Sequence, residues 1–136
     1  EKSALFVFLK SVSTNSVRRH YDYMAKYYEN DSSLTSYSNY IREIKNFSEL
    51  NSIKIDFILL PYALQVIKNC ERNYLKPQFK IKKIFENLKL DLHDFTDNFC
   101  QAGKDKNFFL GFDPVHLSKN GHKFVSRLIV EKGIIY

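Results

Sequence analysis

An aspartate stands three residues before a histidine in Asp113-Pro114-Val115-His116, and Leu117-Ser118-Lys119-Asn120-Gly121-His122 follows directly. On a tight turn that spacing puts a carboxylate within reach of an imidazole. A histidine that takes a proton from a nucleophile needs such a partner. The carboxylate fixes the ring's tautomer and stabilises the imidazolium that forms. Pro114 stiffens the turn and disfavours helix at Asp113. Ser118 is a good N-cap, so a helix starts just after the pair and gives it a fixed base. The same residues admit a structural reading, in which Asp113 opens an Asx-turn and His116 is a surface residue at a helix start.

The pair has no obvious nucleophile to serve. Ser11, Ser13, Ser16, Ser32, Ser33, Ser36 and Ser38 lie in helical or loop segments with no adjacent glycine, and Ser118 reads better as a cap. Cys70 and Cys100 stand 30 residues apart, in settings that give no reason for a lowered thiol pKa. They fit two buried thiols or one disulfide. No Cys-x-x-Cys or Cys/His ligand spacing occurs, so no structural zinc site is expected. Two other residues are candidates for substrate contact. Tyr62 follows Pro61 at the end of an apolar run, and His93 closes a short strand candidate. A strand-end histidine can equally be one that satisfies backbone groups.

The elements that must position these residues follow from apolar periodicity. Ser3 to Val12 is an apolar stretch that fits helix or strand, with Ser3 as a weak argument for helix. Tyr21, Met24, Ala25 and Tyr28 recur at helical spacing. Tyr37, Tyr40, Ile41, Ile44, Phe47 and Leu50 make the clearest amphipathic helix. Ile53 to Leu60 then alternates and ends in a continuous apolar run stopped by Pro61. It reads as a largely buried strand of the parallel-sheet kind. A second helix carries Ile81, Ile84, Phe85 and Leu88 on one face. Leu90 to Asp94 is a short strand candidate, Gly103 to Asn107 a polar loop, and Phe108 to Phe112 leads into the Asp/His turn. Phe124, Val125, Leu128 and Ile129 form the inner face of the last helix. The order helix, strand, helix, strand, turn, helix indicates an α/β unit. In open α/β sheets functional groups gather beyond the C-terminal strand ends. Tyr62, His93 and the Asp113/His116 turn could therefore share one sheet edge.

The string from Asp113 to His122 resembles the last sequence block of the SGNH (GDSL-like) hydrolases, which carries that family's catalytic Asp and His. The likeness is specific over Phe108 to Leu128 and extends in outline over most of the chain. It implies a three-layer, flavodoxin-like α/β parallel sheet, with residues 1–136 forming a single domain or the C-terminal part of one. It also implies ester hydrolysis, with Asp113 orienting His116 as general base for a serine. The family's nucleophile and oxyanion donors lie in glycine-containing blocks. The first glycine here is Gly103, so those blocks are expected outside these residues. Asn30-Asp31 is the one echo of the family's Asn-Asp pair, which makes Asn30 a candidate oxyanion donor. A tyrosine precedes it at the place of the family's glycine, two positions before, and no apolar strand leads into it. A polar loop ending a helix is the competing reading. The implied substrate is an O-acyl ester, small or on a carbohydrate, with no metal or organic cofactor.

Composition narrows the alternatives. Hydrophobic residues make up 44% of 136, enough for a packed core. The longest apolar runs are far short of the ~20 residues of a spanning helix, and no signal peptide is evident. The net charge of +6 is spread over scattered lysines rather than a basic stripe with stacking aromatics, so nucleic acid is not an expected partner. The alternative to an esterase is a non-catalytic α/β binding or interaction domain.

Overall fold

The structure is a computed structural model that describes residues 3–5, 15–111 and 113–134. It is a small mixed α/β domain, mostly helical, with two small sheets. Beyond Leu5, the apolar stretch to Val12 lies outside the described residues, as do Ser11, Ser13 and Phe112.

Helix α1 (Ser16–Glu29) begins where the Asn15 side chain accepts from the Arg18 amide at 3.0 Å, and α2 (Asp31–Leu50) follows after one residue. Strand β1 (Phe57–Leu59) leads through the short helix α3 (Ala63–Ile67) and a 3-10 turn at Arg72–Tyr74 to α4 (Lys76–Leu88). Pro77 stands in the first turn of α4, where its missing N–H costs nothing. Strand β2 (Leu92–Asp94) lies parallel to β1, with Phe57 opposite Leu92, Ile58 opposite His93 and Leu59 opposite Asp94. Helix α5 (Thr96–Ala102) and a 3-10 turn at Lys104–Lys106 come next. The hairpin β3 (Phe109–Leu110) and β4 (Asp113–Leu117) is antiparallel and irregular near Phe109, and α6 (Lys119–Glu131) closes the fold.

Alternation along β1 divides the core in two. Phe57 and Leu59 join Leu92 against Ile41 of α2 and Ile81 and Phe85 of α4. Ile58 and Leu60 pack on the other side against Val66, Phe95, Phe99, Phe108 and Leu128. Helices therefore cover both faces of the parallel pair, as such strands require. A buried amide pair ties the crossover together. Gln65 and Gln78 bond each other reciprocally, Gln65 Oε1 accepts the Tyr62 amide at 2.7 Å, and Gln65 Nε2 donates to the Tyr74 carbonyl at 2.6 Å. Tyr21 of α1 donates to the same carbonyl at 2.6 Å.

Several expectations need correction. The strand read over Ile53 to Leu60 is only Phe57–Leu59, and Ile53 and Ile55 are 47% and 37% exposed. Its partner β2 offers only three register positions, so pairing begins at Phe57. The strand read from Leu90 begins at Leu92, and the loop at Gly103 holds a 3-10 turn. Helices α3 and α5 add to the elements that apolar periodicity predicts. The first is five residues long, and the second spaces Phe95, Phe99 and Ala102 helically beneath a polar start. Helix α2 buries only Ile41 of its apolar face, leaving Phe47 59% and Leu50 85% exposed. Cys70 and Cys100, left open above, form a disulfide across Cα atoms 5.9 Å apart.

The last helix is fixed to the hairpin by a close approach. The Ser118 amide donates to the Phe108 carbonyl at 2.8 Å, the Ser118 hydroxyl donates to the Asn107 carbonyl at 2.5 Å, and the same hydroxyl accepts the Gly121 amide at 3.2 Å. A Cβ at Gly121 would collide with the Phe108 carbonyl oxygen and press on the Leu117 side chain, whereas one at Gly111 would meet open space. Gly121→Ala is expected to destabilise the protein by about 2 kcal/mol, the usual scale of overpacking. Gly111→Ala is expected to be near neutral, and urea denaturation distinguishes the two. Opening the disulfide, as Cys70→Ser with Cys100→Ser, should cost about 3.6 kcal/mol for a sequence separation of 30. An unchanged midpoint under reducing and oxidising conditions would refute the bridge.

Candidate active site

Asp113 opens β4 and uses both carboxylate oxygens. Oδ1 accepts the backbone amides of Val115 at 3.0 Å and His116 at 3.2 Å, an Asx arrangement that shapes the strand start. Oδ2 faces the His116 Nδ1 at 2.6 Å. The Asx bonds and the carboxylate–imidazole contact thus coexist in one side chain. Its pKa is lowered to about 2, chiefly by the Val115 amide and then by the His116 ring. The His116 side chain is 75% exposed, and its Nε2 bonds no described residue. A ring held at Nδ1 by a carboxylate and open at Nε2 is arranged to take a proton from an approaching hydroxyl.

The surroundings are built from β4's neighbours. Helices α1 and α3 both pack against β4. A cavity of about 160 Å³ opens at Pro114, lined also by Val17 of α1, by Ala63 and Val66 of α3, and by Phe109 and Asn107, while Asp113 and His116 are not among its described lining residues. Ala63 and Val66, just past the C-terminal end of β1, line the same cavity as Pro114. Among the described residues, however, β1 with β2 and β3 with β4 form two separate sheets, so the single sheet edge expected to gather Tyr62, His93 and the Asp113/His116 pair is not formed.

The other candidates lie differently. Tyr62 caps α3 next to Ala63, and its ring packs edge-on against Tyr21 at 6.1 Å between centroids. Its hydroxyl is 3.4 Å from that of Tyr28, and burial pushes its pKa far up, so it stays a neutral phenol. Asn30 ends α1 and starts α2, accepting the Ser33 amide at 3.1 Å. His93 sits in the middle of β2 rather than after it, and its Nε2 is 3.2 Å from Asp56 Oδ1. Among the described residues, no hydrogen bond, ion pair or ring contact joins Tyr62, Asn30 or His93 to His116.

Asp56 is the residue that sequence reasoning overlooked. It precedes β1 and shares a sheet face with Ile58 and His93 through the parallel register. Its carboxylate is held below the usual range, first by the His93 hydrogen bond and also by Lys54 at 3.3 Å. The signal was there in Ile53-Lys54-Ile55-Asp56, an alternation that puts Asp56 on the face of Ile58, but the partner strand's register is a tertiary fact. Among the described residues no group of three His, Cys, Asp or Glu could hold a metal ion, and no helix is long and apolar enough to cross a membrane.

Comparison with known protein families, with characterised proteins and with solved structures yields no match to this chain.

The Asp113 carboxylate binds its proton more weakly in the folded state than at the ordinary value of about 3.9. Its stabilising contribution is therefore complete above that value and lost as pH falls through about 2. Asp113→Asn should lower the urea midpoint near neutral pH, and the gap to wild type should close on acidification to about pH 2. A gap that stays constant with pH would exclude the carboxylate's charge as its source.

Proposed function

We propose that this chain carries the acid–base part of an SGNH-type serine ester hydrolase acting on O-acyl esters, with a serine supplied from outside these residues. The single observation that carries the reading is the 2.6 Å contact between Asp113 Oδ2 and His116 Nδ1, with Nε2 open to solvent. In the proposed reaction, His116 Nε2 accepts the serine proton as Oγ attacks the acyl carbonyl, and Asp113 stabilises the imidazolium. The proton then passes to the departing alkoxide, and water repeats the cycle to release the acid. The cavity beside Pro114 suits the apolar portion of an acyl group.

The three-layer, flavodoxin-like fold belongs to the same proposal. It is supported by the helices on both faces of β1 and β2. It is also supported by the exposed apolar residues Tyr40, Ile44 and Phe47 on α2, with Ile53 and Ile55 before β1. A sheet continuing past β1 would cover such residues. In this reading Tyr62 shapes the substrate side of the site through its neighbour Ala63, while His93 and Asn30 take structural roles.

A second reading, an α/β binding domain, is favoured by Asp113 Oδ1, whose two backbone bonds would keep this aspartate for the turn alone. Kinetics separate the two. In the polypeptide or assembly that supplies the serine, His116→Ala should lower kcat for p-nitrophenyl acetate by at least ~10³-fold with little change in KM. Equal kcat in both would sink the esterase reading. The 136 residues alone should give no turnover above buffer. Turnover by that chain that vanishes in His116→Ala would show that the nucleophile lies within it.

A further inference from the structure

A cleft of about 380 Å³ runs between α6 and the 3-10 turn at Lys104–Lys106. That size lies within the range of small-molecule sites. Three cations line it. Lys123 and Arg127 stand four residues apart on α6, one turn on the same face, and Lys106 faces them from the 3-10 turn. Asn120, one turn earlier on that face, donates its side-chain amide to the Lys106 carbonyl at 3.4 Å and ties the two walls together. The floor is aromatic. Phe108 and Phe124 stack with centroids 4.7 Å apart, and the Arg127 guanidinium lies over the Phe124 ring at 5.3 Å.

The charge in this cleft is one-sided. No acidic residue is among its described lining residues. Lys106 and Lys123 make no ion pair with a described residue. Among the described residues Arg127 forms an ion pair with Glu131 alone, at 4.0 Å on the exposed helix surface. Three like charges gathered in a cleft with a low-dielectric floor repel each other and raise the local concentration of anions. A dianionic phosphate monoester offsets that charge better than a singly charged carboxylate. A phosphate group occupies only a small part of the volume, and the aromatic floor suits an apolar or planar group attached to it.

We infer that this cleft is a binding site for a phosphate monoester of an apolar or aromatic group, held by Lys106, Lys123 and Arg127 over the Phe108–Phe124 stack. It is separate from the Asp113–His116 pair and does not depend on the esterase reading. The test is calorimetric titration of the protein with phenyl phosphate, inorganic phosphate and benzyl alcohol at low salt, in wild type and in Lys123→Gln, Lys106→Gln and Lys80→Gln. All three lysines are exposed, so the variants should fold, and circular dichroism checks that they do. Phenyl phosphate should bind at least about tenfold more tightly than inorganic phosphate, since both the charge and the ring find partners. Lys123→Gln and Lys106→Gln should each weaken it several-fold, and Lys80→Gln, on α4, should leave it unchanged. Equal affinity for phenyl and inorganic phosphate would overturn the inference. So would equal loss in Lys80→Gln, which would mean diffuse attraction by a basic surface. A single-stranded oligonucleotide that binds far more tightly than phenyl phosphate through the same lysines would reassign the cleft to nucleic acid.

Discussion

The carbonyl of Phe108 is the point on which the C-terminal half of this domain turns. It accepts the Ser118 amide and lies so close to the α6 backbone that only a glycine fits at position 121. Ser118 bonds on three sides, to the amide of Gly121 and to the carbonyls of Asn107 and Phe108. With the helix start locked to β3, the antiparallel pairing of Phe109 with Leu117 sets where β4 runs. Asp113 and His116 inherit their positions from that pairing. A side chain at 121 would push α6 outward and loosen Leu128 and Phe124 from Phe99 and Phe108.

Given that frame, one carboxylate binds both the backbone and an imidazole. Asp113 spends one oxygen on backbone amides and the other on the ring. The backbone bonds hold the carboxylate ionised at any moderately acid pH, and they orient the oxygen that meets His116. The economy has a cost in freedom. The carboxylate cannot swing away without also releasing the amides of Val115 and His116. A pair preorganised in this way needs no reorganisation when the ring becomes charged. The second Asp–His contact, Asp56 with His93, lacks this feature, since Asp56 is braced by a flexible lysine rather than by backbone.

The crossover between β1 and β2 is held by polar bonds inside an apolar setting. Gln65 and Gln78 satisfy each other, and Gln65 also joins the Tyr62 amide to the Tyr74 carbonyl. Buried amides with full bonding specify one arrangement, because any shift leaves a polar group without a partner. This network seats α3 beneath α1 and brings Ala63 to the cavity beside Pro114. Nothing in the isolated string Ala-Leu-Gln-Val-Ile marks Gln65 as interior. A glutamine's usual place is the surface, and its burial follows from a partner 13 residues away.

By itself the sequence determined what depends on neighbours along the chain. Ser118 as a cap, the inner face of α6 and the helical run from Tyr37 to Leu50 all follow from local spacing and local hydrogen bonding, whereas the stretch read as a turn from Asp113 to His116 became strand β4 by pairing with β3. The meeting of Asp113 and His116 is local too, since three residues separate them. The tertiary structure alone decided what depends on register and packing. It cut the strand at Ile53–Leu60 to the three residues that β2 can pair. It tied His93 to Asp56, left the apolar face of α2 largely uncovered, joined Cys70 to Cys100, and set Lys106 opposite Lys123 and Arg127. These are contacts between residues far apart in sequence or on separate elements. Periodicity says which face of an element is apolar, but not which other element lies against it.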